Sequence, residues 1–501
     1  MTGRFLLAVA LATFVFTQLP LDPHRTVYGS LAPWPDAAEY VDGAVHLAET
    51  GRFAIHVAGR EMPSRYPPGY SFLLAGLIAA GVEPLTAPLW LNRTFALAIL
   101  LGLYLAFARA SYPFAAGLAA LLMATRTSFV VLTRSPMSEV PAAAILLVSV
   151  WALHRHWRDP KFSHCALAGL ALGLSTNLRL MHVLLVGLLG LAAFRGRELQ
   201  WKGGLVASTA FLLGLSPALI YNTATFGFPL ETGYSFWLEA VDTGESGFAV
   251  ANIPVRLAEL GAELAQSEPG PTTAHLYGAG SYLAPMFAVA IVLSLWKLRH
   301  DHFIRLAAGA ASVYFAGWLS YYYQDFRLCF PVIVLSVPLA AWAATRLWSE
   351  HEGRLARTVI GLGLAVVIAG PPGARSTFDL GDMVRTPSLY MIPAPELPTI
   401  QFLNSLEAVD SLILTDMAPP YVHALTSGTR DVAPLLDNHD YSHHPANFRF
   451  GDPERRGLIE AAKSRGATIY AVSARVPLDE LDAGWRVLWR NELGGGVSVL
   501  E

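Results

Sequence analysis

Apolar stretches recur along this chain from residue 5 to residue 370 and then stop, several of them short. A spanning helix needs about 20 mostly apolar residues, with a range of roughly 17–25. Spans are predicted near 5–20, 87–107, 113–131, 138–154, 165–180, 181–195, 203–221, 281–296, 303–321, 328–346 and 358–370. Charged residues make up 15% of the 501 and apolar residues 53%, whereas soluble domains carry about 25% charge. So little charge cannot clothe several soluble cores. The predicted fold class is therefore mainly α: a polytopic transmembrane bundle of eleven spans, followed by a small C-terminal α/β domain. A disordered chain and a disulfide-rich scaffold are both excluded. The formal net charge of -3 offers nothing to a nucleic acid. Cys165 and Cys329 fall in separate apolar segments, so no structural disulfide is expected.

Lys and Arg in short loops set orientation. Four loops are basic: Arg155, Arg158 and Lys161; Arg195, Arg197 and Lys202; Lys297, Arg299 and Arg305; Arg346, Arg354 and Arg357. Placing all four inside requires an odd number of spans, an N-terminus in the cytoplasm and an extracytoplasmic C-terminus. The compartment implied is the inner or plasma membrane. The apolar stretch Tyr66–Gly81 would upset this parity if it crossed. It is read as a juxtamembrane or re-entrant helix opened by Pro67 and Pro68, the alternative being an ordinary twelfth span. The first apolar run follows Arg4 without an A-x-A site before Pro20, which favours an uncleaved first span over a signal peptide.

Two domains follow: a membrane domain over 1–370, with outer loops at 21–86 and 222–280, and an extracytoplasmic domain over 371–501. In the latter, Ser411–Asp416 and Ala467–Val472 read as buried strands. Pro398–Leu406 and Pro453–Ser464 read as helices opened by their prolines. Two strand-like runs flank Gly494–Gly496. This domain shows no phosphate loop, nucleophile elbow or metal-ligand cluster, so docking or packing is expected of it rather than catalysis.

Acidic and basic residues gather at the outer ends of the predicted spans. A helix opened by Pro35 puts Asp36, Glu39 and Tyr40 on one face at i, i+3 and i+4. Two carboxylates so placed suit a general base and a metal ligand. They equally suit the first turn of a helix, where the dipole favours acids. Glu139 opens another span; it is either a functional acid or part of a helix start capped by Ser135 or Ser138. Arg65, Arg134, Arg179 and Arg327 lie on the same side. Arginine can grip a phosphate through two parallel hydrogen bonds, or it can snorkel to lipid headgroups.

The ordered motifs DAAEY, RYPPGYSFLLAG, TRSPMSEVPAAAILL, GLALGLSTNLRLMHVLL, YNTATFGFPLETGY and YYYQDFRLCFPVIVL span roughly residues 1–345. Together they resemble the C class of membrane glycosyltransferases (GT-C), in its bacterial branch of aminoarabinose transferases and protein mannosyltransferase-like enzymes. The resemblance implies transfer of a sugar from a polyprenyl-phosphate carrier to a glycan, lipid or protein acceptor on the outer face, with inversion. It implies that Asp36 is the first-loop catalytic aspartate, with Glu139 as a second acid and Glu39 beside it. Arg327 matches a basic residue that grips the carrier phosphate. Arg65, Tyr66, Arg134, Arg179 and Asp325 complete the substrate-binding candidates. Arg179 stands where relatives often carry TRP, but Leu180 and Met181 follow it here. The one cofactor left open is a divalent cation, magnesium or manganese, although the second outer loop has no D-x-D to hold it.

Two other classes compete. A transporter or flippase for a lipid-linked or anionic substrate would hold ionisable residues near the bilayer midplane, often within internal repeats. This chain shows no repeat and keeps those residues at span ends. A non-catalytic scaffold would leave Asp36 and Arg327 without a shared site.

Overall fold

The computed structural model describes residues 2–18, 36–108, 112–195, 198–199, 201–237, 248–265, 302–321, 326–350, 396–406, 410–426, 429–435, 443–444, 448–449, 452–473, 484–491 and 495–501. The spans expected at 281–296 and 358–370, and Asp325, lie outside the described residues.

After α1 (Thr2–Gln18) come α2 (Asp36–Thr50), the hairpin β1 (Ile55–Val57) and β2 (Arg60–Met62), and α3 (Gly69–Ala79). The bundle continues through α4 (Ala87–Ala108), α5 (Pro113–Ala124), α6 (Thr127–Arg134), α7 (Glu139–Arg158) and α8 (Phe162–Leu178). A 3-10 segment, Leu180–Ala193, leads to α9 (Trp201–Phe226), α10 (Gly233–Trp237), α11 (Asn252–Ala265), α12 (His302–Ser320) and α13 (Phe330–Glu350). Among the described residues, four stretches are long and apolar enough to cross a membrane: Ala87–Ala106, Trp201–Phe226, Phe303–Ser320 and Arg327–Arg346. Helix α3 has 11 residues, a rise of about 16 Å, against a hydrocarbon core of about 30 Å. It is too short to cross alone.

Two expected spans take a different form. The run at 113–131 is not one helix, because α5 stops at Ala124 and α6 starts at Thr127. The Thr125 hydroxyl donates to the carbonyls of Leu121 and Leu122 at 3.0 and 3.1 Å, and Arg126 Nε to that of Leu122 at 3.0 Å. These side chains take the Leu122 carbonyl that another turn would have used. The run at 181–195 is a 3-10 segment and not an α-helix. It is set off from α8 by Arg179, whose backbone is extended (φ -148°, ψ 108°).

Helix α7 runs through the centre of the bundle and contributes to two of its cores. Leu146, Val150 and Leu153 pack with α8, α12 and α13, while Val140, Ala143 and Leu147 pack with α4 and α5. Helix α9 lies at the periphery, burying Ala207, Phe211 and Ala218 and exposing Leu212, Leu213 and Ile220. An apolar outer face suits lipid, since hydrocarbon demands only that backbone groups be satisfied within the helix. Glycines let α8 and α9 touch: a Cβ on Gly173 would stand 2.2 Å from the Phe211 carbonyl oxygen. Such contact between small residues is how helices associate where apolar burial brings no gain.

The C-terminal region holds α14 (Glu396–Asn404), β3 (Asp410–Thr415), α15 (Pro419–Leu425), β4 (Thr429–Pro434), α16 (Asp452–Ser464), β5 (Thr468–Ser473), β6 (Trp485–Arg490) and β7 (Gly496–Leu500). The five strands form one mixed sheet in the order β6-β7-β5-β3-β4. Strand β3 pairs in parallel with both β4 and β5, and Ile413 lies opposite Val432 and Tyr470. The helices in the two crossovers explain why β3 and β5 read as unbroken apolar runs: such central strands are covered on both faces. The sheet is not packed by itself. Ala37, Tyr40 and Val41 of α2 and Ile55 and Val57 of β1 share one core with Leu412, Ile413, Tyr421 and Val422.

Gly69 opens α3 against the end of α8. A Cβ there would come within 2.6 Å of the Asn177 carbonyl oxygen, two residues before Arg179. Gly69→Ala is expected to destabilise the protein by about 1–3 kcal/mol, the usual cost of overpacking. A thermal melt of the detergent-purified variant checks this; an unchanged midpoint would show that α3 and α8 can move apart.

Candidate active site

Three helix ends and the start of α2 meet on the side of the bundle that bears the sheet. Glu139 begins α7, Arg179 follows the end of α8, Arg327 lies in the 3-10 turn Phe326–Cys329 that leads into α13, and Asp36 begins α2. All four are buried, with Glu139 fully so. Their charges alternate. Arg327 Nη2 sits 2.7 Å from Asp36 Oδ2, and Arg327 Nε sits 3.8 Å from Glu139 Oε1. Arg179 Nη1 reaches the same Glu139 oxygen at 2.9 Å. Two acids and two guanidinium groups thus form one neutral chain. Buried charge is tolerated when it is paired in this way.

Neighbouring polar groups hold the chain in place. The Tyr66 hydroxyl donates a short hydrogen bond to Asp36 Oδ1. Burial, and next the Asp36 carboxylate, push that hydroxyl well above its ordinary pKa, so it stays a donor. Arg179 Nη1 lies 3.3 Å from Ser138 Oγ, which in turn lies 3.1 Å from the Tyr40 hydroxyl. The Tyr40 ring meets those of Tyr66 and Tyr70 at 5.0 Å, and Tyr66 meets Tyr234 edge-on at 5.6 Å. Asn92 fixes the turn before Glu139 by donating to the Leu132 and Met137 carbonyls at 3.3 and 3.1 Å, while its own oxygen accepts from Tyr70 at 3.2 Å.

The other sequence candidates lie elsewhere. Glu39 shares the buried face of α2 but turns to the segment before α3. Its Oε2 accepts from Ser64 Oγ at 3.0 Å and the Arg65 amide at 2.7 Å, and its Oε1 lies 3.2 Å from Arg65 Nε. The Arg65 guanidinium also covers the Trp237 ring at 5.4 Å. Arg134 donates to the Thr17 carbonyl beside Arg93, which reaches the Gln18 carbonyl at 3.0 Å; both close the negative end of α1. Asp36 and Glu39 do not fit a magnesium or manganese site, because each carboxylate is engaged by a different arginine and by hydroxyl donors.

Sequence reasoning missed Asn92, Tyr70 and Tyr234, and offered Ser138 only as a helix cap, whereas its hydroxyl meets Tyr40 and Arg179. Asn92 carried a signal, an amide in the polar run Asn92-Arg93-Thr94 of the span predicted at 87–107, which must find partners. The tyrosines carried none, since an aromatic residue beside a membrane is ordinary.

Residues 65–221 match the family described as dolichyl-phosphate-mannose-protein mannosyltransferase. The matched stretch holds Arg65, Tyr66, Glu139 and Arg179 and stops short of Asp36 and Arg327. Among solved structures, ArnT from Cupriavidus metallidurans bound to undecaprenyl phosphate superposes with a TM-score of 0.63 at 13% identity. The match covers 99% of this chain and 97% of that one. The apo form of the same protein gives a TM-score of 0.61 at 13% identity over the same shares. The Archaeoglobus fulgidus oligosaccharyltransferase in complex with Zn and sulfate gives 0.51 at 14% identity, over 93% of this chain and 68% of that one. The fold is that of the GT-C membrane glycosyltransferases. The GT-C likeness runs through the C-terminal sheet as well as the bundle, since nearly the whole chain is covered. By sequence, no curated protein matches the chain.

Proposed function

We propose that the protein is a glycosyltransferase that moves a sugar, hexose or pentose, from a polyprenyl-phosphate donor to a hydroxyl of a glycan, lipid or protein acceptor. The reaction takes place at the outer face of the membrane and inverts the anomeric centre. The observation that carries this reading is the buried alternating chain Asp36–Arg327–Glu139–Arg179 at the ends of helices in the bundle. A transporter would need such groups near the midplane. Here they gather at helix ends, which supports a headgroup site instead.

The chemistry asks for three things. The acceptor hydroxyl must be aimed, its proton taken, and the departing phosphate neutralised. As the new carbon–oxygen bond forms and the bond to the carrier phosphate breaks, the acceptor proton passes to the Asp36 carboxylate and the electron pair leaves with the phosphate. Arg327 grips that phosphate, aided by Arg179. The phosphate competes with Asp36 and Glu139 for the Arg327 guanidinium, so donor binding loosens the 2.7 Å pair and leaves Asp36 free to accept a proton. Tyr66 keeps the carboxylate aimed while this exchange occurs. Glu39 serves by fixing Arg65 and the start of the Tyr66 segment.

Membranes incubated with radiolabelled polyprenyl-phosphate hexoses and pentoses test the reading, the expected result being transfer of one label to a less lipid-soluble product. If every label stays on its carrier while a lipid-linked substrate moves between leaflets, the flippase reading replaces this one.

The proposed orientation has its own check. Glu139 and Arg158 bound the 20-residue helix α7, about 30 Å apart. Ser464 is exposed at the end of α16, on the sheet side. Both native cysteines are buried. Ser464→Cys is expected to react with an impermeant thiol reagent from outside intact cells, and Arg158→Cys only after permeabilisation. The reverse pattern would move the site to the cytoplasmic face.

A further inference from the structure

Six residues beyond Asp36 on the same helix, Asp42 meets two histidines from other parts of the chain. His56 lies on β1, and His423 lies on α15 in the sheet region, 381 residues away in sequence. The Asp42 carboxylate is fully buried. His423 Nδ1 lies 2.6 Å from Oδ1, and His56 Nδ1 lies 3.9 Å from Oδ2. The backbone amide of His56 donates to Oδ2 at 2.7 Å and fixes the carboxylate's direction. One donor atom from each of the three residues falls within 4.8 Å of the others. His56 Nδ1 is buried and has no hydrogen-bond partner among the described residues. The two imidazoles stack at 3.7 Å with an angle of 24°.

We propose that Asp42, His56 and His423 form a binding site for a transition-metal ion, zinc foremost, that ties the C-terminal sheet to the helix bearing Asp36. Two imidazoles and a carboxylate are a ligand set suited to zinc, nickel or copper, whereas magnesium and manganese prefer oxygen. Three protein ligands leave a fourth position for water. Metal bonds of about 2.0–2.2 Å put neighbouring ligand atoms in a tetrahedral shell roughly 3.3 Å apart. The distances found, 2.6 and 3.9 Å, straddle that figure. The two imidazoles, stacked here, turn apart to bring a ring nitrogen of each to an ion. The ion replaces the proton shared by His423 and Asp42, which is released to solvent.

The surroundings favour a cation. Glu49 and Asp431 add negative potential at His423. A polar layer packs beside His56. The His46 ring packs edge-on against His56 at 4.5 Å, His46 Nε2 lies 3.4 Å from Glu61, and Arg52 Nη1 lies 3.1 Å from the other Glu61 oxygen. The contact the ion would reinforce already exists: the Ala58 amide donates to the Val432 carbonyl at 2.8 Å, joining the hairpin to β4. A metal here stabilises the joint and fixes α2, without touching the reacting atoms.

The test uses the full-length protein in detergent and reads metal directly, so it stands or falls apart from any sugar transfer. Protein grown with zinc is assayed for metal content, then stripped with a chelator and titrated with cobalt(II). The expected result is stoichiometric zinc, a visible cobalt absorption band of low coordination number, and a higher melting midpoint with metal than without. His423→Ala is expected to weaken cobalt binding at least tenfold and abolish the metal-dependent rise. Should that variant fold poorly, His56→Ala provides the same readout at a partly exposed position. A wild-type protein that retains neither zinc nor cobalt overturns the proposal, leaving a proton-bridged His–Asp contact. So does a cobalt band that survives both substitutions.

Discussion

Asp36→Asn is expected to lower sugar transfer by roughly 10²–10⁴-fold, the usual worth of a positioned general base. The amide is nearly isosteric and cannot take the acceptor's proton. The shape is kept, but the amide has one oxygen for two donors, Tyr66 and Arg327, and loses the buried ion pair, so some stability, up to about 3–5 kcal/mol, should go with it while donor binding survives. Transfer assays with a labelled lipid-linked donor, beside donor-binding and melting measurements, separate chemistry from folding. Glu39→Gln should do less, since Glu39 acts on Arg65 and Ser64 and not on the Asp36 cluster. The rival base is Glu139, whose Oε2 is buried without a hydrogen-bond partner among the described residues. Near wild-type transfer in Asp36→Asn with none in a folded Glu139→Gln would move the base to Glu139. Its folding has to be checked, because breaking a buried ion pair costs about 3–5 kcal/mol. If none of the three substitutions changed transfer, the glycosyltransferase reading would fail.

Arg327→Ala should weaken donor binding by about 1.5–3 kcal/mol, the loss of one charged hydrogen-bond partner, or roughly 10- to 150-fold in Kd. The same change strips Asp36 and Glu139 of a shared cation, so some stability should go with it. Arg327→Lys separates the two effects. Lysine restores the charge between the acids but lacks the planar fork, so stability should largely return while donor affinity recovers in part. Equilibrium binding of a polyprenyl phosphate, with and without the sugar, is the measurement. Unchanged affinity in a folded Arg327→Ala protein would make Arg327 a strut between two acids and pass the phosphate to Arg179.

What the sequence determined by itself follows from periodicity and solvent. Uninterrupted apolar runs bounded by Lys and Arg admit few structures besides membrane helices, and α4, α9 and α12 lie close to where composition places them. Strands β3 and β5 begin within one residue of their expected starts, because a strand buried on both faces is a short, continuous apolar run. Asp36, Glu139, Arg179 and Arg327 could be singled out because ionisable residues beside membrane spans are costly and therefore conspicuous. Pairing was beyond reach. Nothing in one dimension says that Arg327 stands between Asp36 and Glu139, that Arg65 belongs to Glu39, or that Arg134 closes α1, since any arginine on that side could meet any acid. The break at Thr125 and Arg126 was equally hidden, because it depends on side chains folding back onto carbonyls of their own helix. Only the tertiary structure decided that Asp42, His56 and His423 meet. Each looks like an ordinary polar surface residue in sequence, and only the docking of α15 onto α2 buries the carboxylate and brings the second imidazole to it.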